Sequence, residues 1–116
     1  MRLCCGVAYP LKLLGIAAAL AAGIIEEISF RGFIMTRLQA IGVPAMFQVL
    51  HSGIVFGLAH LYTFSTGGFI ATTVLGLLFA GIYIIGKRSL TPTVASHSHI
   101  DLITEPWLLM AALAGF

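Results

Sequence analysis

Residues 69–85 read Phe-Ile-Ala-Thr-Thr-Val-Leu-Gly-Leu-Leu-Phe-Ala-Gly-Ile-Tyr-Ile-Ile, and Tyr83 is the sole ionisable side chain among them. A strand of a transmembrane barrel alternates apolar and polar residues over about ten positions. This stretch does not alternate. Its length approaches the roughly 20 residues that carry a helix across a bilayer, so it predicts an apolar helix, closed by Gly86-Lys87-Arg88.

Working outward, the rest of the chain has the same texture. Of 116 residues 59% are hydrophobic, 13 are glycine and only 9% are charged, where roughly 25% charged is ordinary for a soluble domain. Too few polar side chains exist to cover a water-soluble fold of this size, and disorder needs the opposite composition. The expected fold is therefore all-α, a polytopic transmembrane bundle of about four spans plus a partial C-terminal helix. Residues 1–116 then form a single membrane domain. The net charge of +2 is scattered along the chain, which leaves no nucleic-acid footprint. Cys4 and Cys5 are adjacent and outside any metal-ligand spacing. Pro10 and Lys12 interrupt the first apolar run, unlike a signal peptide.

Turn signals divide the chain. The first segment runs from Leu11 to Gln39 and ends at Ile41-Gly42-Val43-Pro44, where glycine suits a helix C-cap and proline cannot continue the helix. The second runs from Ala45 to Tyr62. The fourth starts near Thr91-Pro92 and reaches about Thr104. Glu105-Pro106 then opens a short fifth, Trp107 to Phe116. Gly53-x-x-x-Gly57 and Gly76-x-x-x-Ala80 are spacings that let membrane helices approach closely. If every segment crosses, Arg37, Lys87 and Arg88 share one side, which the positive-inside rule makes cytoplasmic.

The polar residues inside these helices carry the chemistry. Glu26, Glu27 and Arg31 sit within the first segment, and a lipid-exposed charge at a helix centre costs roughly 2.5–3.5 kcal/mol. They must face protein or a wet cavity. Glu27 and Arg31, four apart, can pair along one face, while Glu26 points away from that pair. His60 follows Phe56 by four residues, and His97 and Asp101 share another helix face. His51 and His99 lie on opposite faces from His60 and His97, which suits structural roles. By helical rise, Glu26, His60, His97 and Asp101 reach one buried layer. A carboxylate and a histidine around water are the parts of general-base hydrolysis. The same residues also suit a structural ion-pair cluster or a proton or ion relay.

Glu26-Glu27-Ile28-Ser29-Phe30-Arg31 matches EExxxR, Phe56-Gly57-Leu58-Ala59-His60 matches FxxxH, and His97 through Asp101 matches HxxxN/D. This ordered set resembles the CPBP family of intramembrane proteases, which includes the type II CAAX prenyl endopeptidases and bacterial immunity-related proteins. The match covers residues 26–101. The resemblance implies an endopeptidase in which Glu26 is the general base and His60 its partner. Glu27 and Arg31 would be a supporting ion pair, and His97 with Asp101 would steady the oxyanion. Substrates would be membrane-embedded or lipid-anchored peptides, prenylated CAAX sequences among them. The protein would be a multi-pass component of a prokaryotic plasma membrane, and a non-catalytic immunity-type scaffold is the alternative. The family has been described both as metalloproteases and as metal-independent glutamate proteases. There is no HExxH here, so a zinc ion would have to recruit Glu26, His60 and His97 from three helices.

Two departures from the family pattern stand out. The third motif more often ends in asparagine, which donates a hydrogen bond. Asp101 must either stay protonated or serve to orient His97. Family members usually carry further membrane helices before the first motif, so the chain reads as a fragment or a truncated member.

Overall fold

The first apolar run becomes one long helical rod. The computed structural model describes residues 3–62 and 65–113, with residues 3–12 and 105–113 described in backbone alone. Helix α1 (Leu3–Glu27) passes without a break into a π-helical stretch, Ile28–Met35, and then into α2 (Thr36–Ala40). Three more helices follow: α3 (Ala45–Ala59), α4 (Thr66–Ile85) and α5 (Leu90–Leu113). The described residues are thus all-helical, as their composition implied. Within them, Leu13–Ala40 and Thr66–Ile85 are long and apolar enough to cross a membrane, whereas the apolar Ala45–Ala59 is shorter.

Buried and exposed residues are distributed as they would be in an apolar solvent. Leu14, Ile25, Phe33, Met46, Ile70 and Leu78 lie on the outside. Glu27, Arg31, Gln48, Ser52, Thr93 and His97 are buried. Water would favour the reverse. Along the rod the buried positions recur every four residues: Gly15, Ala19, Gly23, Glu27, Arg31 and Met35. A step of four over-rotates an α-helix by about 40°, so such a stripe would wind around the rod. The π-helical stretch bonds each residue to the fifth along and turns less per residue. It turns that drift back and keeps Arg31 and Met35 on the buried side of the rod.

Two close helix pairs build the body. Gly23 lets α1 meet α5, because a Cβ there would lie 3.0 Å from the Ser98 amide nitrogen. Gly53, Gly57 and Gly76 let α3 meet α4; a Cβ at Gly76 would be 3.0 Å from Gly53 Cα. Met35, Ala80 and Tyr83 fill the space where the rod reaches α4.

The connections fix the basic end. Gly42 has φ +82°, and Val43 N–H donates to Leu38 O at 3.0 Å while Gly42 N–H donates to Gln39 O at 3.0 Å. This is a Schellman cap, which needs the left-handed conformation glycine adopts freely. Between α4 and α5, Lys87 and Arg88 are themselves left-handed, with φ 54° and 62°. Arg88 N–H donates to Tyr83 O at 2.8 Å, and its guanidinium donates to Gln48 Oε1 at 2.8 Å. Gln48 in turn donates to Val43 O at 2.6 Å. The α2–α3 and α4–α5 connections are therefore tied together at one end.

Two segment boundaries differ from the sequence reading. Glu105-Pro106 does not open a separate fifth segment, since α5 continues through it to Leu113. Proline removes one backbone donor, a loss that apolar membrane helices tolerate more readily than others. The second segment ends at Ala59 rather than Tyr62, for a reason that belongs to His60. The side chains of Cys4, Cys5, Lys12, Glu105 and Trp107 lie outside the described residues.

Candidate active site

His60 sits where α3 stops. Its own N–H turns back to Gly57 O at 3.1 Å, a tighter bond than the helical one to Phe56 O. The Phe56 carbonyl is left without that N–H. The His60 ring supplies the replacement, with Nδ1 2.8 Å from Phe56 O. A carbonyl only accepts, so Nδ1 carries the proton and Nε2 is the nitrogen that faces the site. Helix α3, 15 residues long, rises about 22 Å. Its end lies short of a full hydrocarbon thickness of about 30 Å.

His97 is fixed the same way from α5. Its Nδ1 lies 2.8 Å from Glu27 Oε1, and the same oxygen accepts from Arg31 Nη1 at 2.9 Å. Glu27 and Arg31 are both fully buried. Arg31 Nη2 donates to Gly76 O at 2.7 Å. The Arg31 guanidinium carbon also lies 4.9 Å from the Phe56 ring, 5.5 Å from Phe79 and 5.9 Å from Phe30. Those ring faces attract a cation. Two hydrogen bonds and three aromatic faces thus compensate a guanidinium removed from water.

With both Nδ1 atoms occupied, both Nε2 atoms turn to one point. His60 Nε2 and His97 Nε2 each lie 3.6 Å from Glu26 Oε2. That oxygen is buried and has no hydrogen-bond partner among the described residues. A buried acceptor without a partner commonly marks a catalytic group or the seat of a small polar molecule. His97 Nε2 is also 3.5 Å from Asp101 Oδ2. The structure therefore brings together Glu26, His60, His97 and Asp101 with Glu27 and Arg31, from three helical elements and the end of a fourth. His51 and His99 are exposed and stay outside.

The centre opens into a cavity of about 240 Å³ between α4 and α5. Its walls are mainly apolar (Ala71, Leu75, Phe79, Ile100), with His60, His97 and Asp101 among its other lining residues. Thr72 and Thr104 also line it, but their hydroxyls donate to Gly68 O and Ile100 O of their own helices.

Among the described residues no three His, Cys, Asp or Glu side chains are disposed to hold a metal ion. Glu26, His60 and His97, the three that a zinc ion would recruit, do not form such a group.

Two contributors were not singled out as site residues from the sequence. Phe79 stacks on His97, with ring centroids 4.7 Å apart and planes 20° apart. Gly76 presents its carbonyl to Arg31. Phe79 carries no signal in an apolar run, while Gly76 was visible only as a small residue.

The fold and the centre define a class: an all-helical protein with a carboxylate–imidazole site set among apolar helices. Residues 9–103 match the Rce1-like type II CAAX prenyl endopeptidases, and the chain belongs to that family. The family is one of membrane proteases of the CAAX type. Comparison with curated proteins and with solved structures gives no match.

Proposed function

We propose that the protein is an intramembrane endopeptidase that hydrolyses peptide bonds of membrane-associated, lipid-anchored substrates, prenylated C-terminal peptides included. Beyond family membership, the observation that carries this reading is the approach of two imidazole Nε2 atoms to one unpartnered carboxylate oxygen. That point suits a water molecule, which donates one hydrogen to Glu26 and the other to His60 Nε2.

Glu26 takes the water proton as the oxygen attacks the carbonyl carbon of the scissile bond. The carbonyl π electrons move onto its oxygen. His97, when protonated at both nitrogens, donates from Nε2 to that oxyanion while Asp101 holds the ring. Collapse re-forms the carbonyl and breaks the C–N bond, and Glu26 returns its proton to the leaving amine. Glu27 and Arg31 act on His97 as a fixed acceptor and its counter-charge. The apolar cavity walls support a substrate segment that reaches the centre from the lipid. In this reading α3 and α5 enter the membrane beside the two longer spans, giving four membrane segments.

The test uses the full chain in lipid vesicles with a membrane-tethered peptide reporter. Glu26→Ala and His60→Ala are each expected to reduce cleavage by about 10²–10⁴-fold. Cleavage undiminished by both would falsify the assigned centre. Proton flux that depends on Glu26, with no peptide cut, would favour an ion relay instead.

A further inference from the structure

Helix α4 bears none of the three motifs, yet it touches the groups that two of them supply. Gly76 and Phe79 are three residues apart and so share a face. Gly76 O accepts Arg31 Nη2 at 2.7 Å. One turn on, the Phe79 ring lies 4.7 Å from the His97 ring in a near-parallel stack. Phe79 is only 2% exposed, and its edge is set by a T-shaped contact with Phe56 at 6.4 Å.

The His97 ring has two ways to leave its working position. It can flip by half a turn, exchanging Nδ1 for a carbon, or it can tilt out of its plane. The bond to Glu27 opposes the flip, because only Nδ1 can make it. That single bond does not fix the plane, since a ring can rock about a hydrogen bond. The stacked Phe79 face does. Phe56, edge-on to His97 at 5.5 Å and 72°, closes a second side. What remains open is the Nε2 edge towards Glu26 and Asp101.

From this geometry we infer that Phe79 is a positioning residue for His97, holding the imidazole plane so that Nε2 meets the reacting carbonyl oxygen. The role rests on the peptidase reading, but its physical content, a fixed ring plane, is measurable without turnover. Phe79 also lines the cavity, so a change in rate alone would not separate positioning from substrate contact.

The test is therefore spectroscopic first. The full chain carrying isotopically labelled histidine is placed in lipid nanodiscs, and the His97 ring signals are identified by their loss in His97→Gln. In Phe79→Leu and Phe79→Met, which keep apolar volume but no ring, the order parameters of the His97 ring C–H bonds should fall as the imidazole rocks about its bond to Glu27. The His60 signals should hold. Phe79→Tyr, which keeps the ring, should retain the wild-type His97 order parameters. In the reporter assay the two non-aromatic variants should lose about 10–100-fold in kcat, the scale of a misplaced catalytic group. Wild-type His97 ring order parameters in Phe79→Leu or Phe79→Met overturn the proposal, as does their fall in Phe79→Tyr. A wild-type chain that cuts no reporter overturns the peptidase reading alone, and the spectra still decide whether Phe79 sets the His97 plane.

Discussion

One oxygen atom, Glu27 Oε1, receives both His97 Nδ1 at 2.8 Å and Arg31 Nη1 at 2.9 Å. A single carboxylate on the long rod therefore orients the imidazole of α5 and neutralises the guanidinium that reaches α4. Breaking a buried pair from one side strands the other charge, which costs about 3–5 kcal/mol. Glu27→Leu is expected to destabilise the protein by that amount, measured by unfolding in detergent. Glu27→Leu combined with Arg31→Met removes both charges, and replacing a buried pair with apolar residues is often close to neutral. The double variant should be more stable than Glu27→Leu alone. Equal or greater loss in the double variant contradicts the buried pairing.

Glu26 makes the opposite prediction, although it is the next residue. Its Oε2 has no hydrogen-bond partner among the described residues and the side chain keeps 28% of its exposure. Little in the fold depends on its charge. Glu26→Gln should unfold within about 0.5 kcal/mol of the wild type, the range of substitutions away from structural contacts. Its reporter cleavage should drop by about 10²–10⁴-fold, since an amide cannot accept the water proton. Stability loss comparable to that of Glu27→Leu would make Glu26 a structural residue.

These positions separate what residue spacing dictates from what tertiary packing decides. The spacing of Glu27 and Arg31 implied a shared helix face, and the apolar solvent explained why charge there must be enclosed. The π-helical winding from Ile28 to Met35 was not legible, because no residue type in Ile-Ser-Phe-Arg-Gly-Phe-Ile-Met demands it. It follows from the tertiary need to keep one stripe facing α4 and α5. Pro106 looked like a helix start, whereas α5 runs past it to Leu113. The end of α3 moved because His60 bonds its own Phe56 carbonyl, a choice that depends on the tightened last turn. Phe79 was hidden for a simpler reason: in an apolar run, a phenylalanine facing lipid and one facing a histidine are spelled alike.

The α3–α4 contact predicts a graded response among glycines. A Cβ at Gly76 would meet Gly53 Cα and Phe56 Cβ at 3.0 Å and Gly53 O at 3.1 Å, two of them backbone atoms that yield only if the helices part. Gly76→Ala should therefore cost about 1–3 kcal/mol, as overpacking does, and should displace the carbonyl that holds Arg31. A Cβ at Gly81, on the same helix, meets nothing within 4 Å. Gly81→Ala should be neutral or stabilise by up to about 1 kcal/mol, the usual advantage of alanine in a helix interior. Thermal unfolding of both variants in one detergent checks the contrast, and similar losses at the two sites would contradict the close crossing.

Asp101 offers the sharpest test of the proposed oxyanion contact. Its Oδ2 lies 3.5 Å from His97 Nε2, and the side chain is 13% exposed at the cavity wall. A carboxylate there can accept from the imidazole but repels a developing oxyanion. In Asp101→Asn the side-chain oxygen still accepts, the repulsion is gone, and the amide adds a donor. One added hydrogen bond is worth about 1 kcal/mol, roughly fivefold in rate. Asp101→Asn is accordingly expected to raise kcat about fivefold in the reporter assay. Asp101→Leu keeps similar bulk but neither accepts nor donates, and should lower kcat by about tenfold or more, as loss of a positioned hydrogen bond does. Should the asparagine variant lose as much activity as the leucine variant, the negative charge of Asp101 is itself required. Its task would then be to keep His97 protonated, with His97 Nε2 the sole donor that this pair presents to the oxyanion.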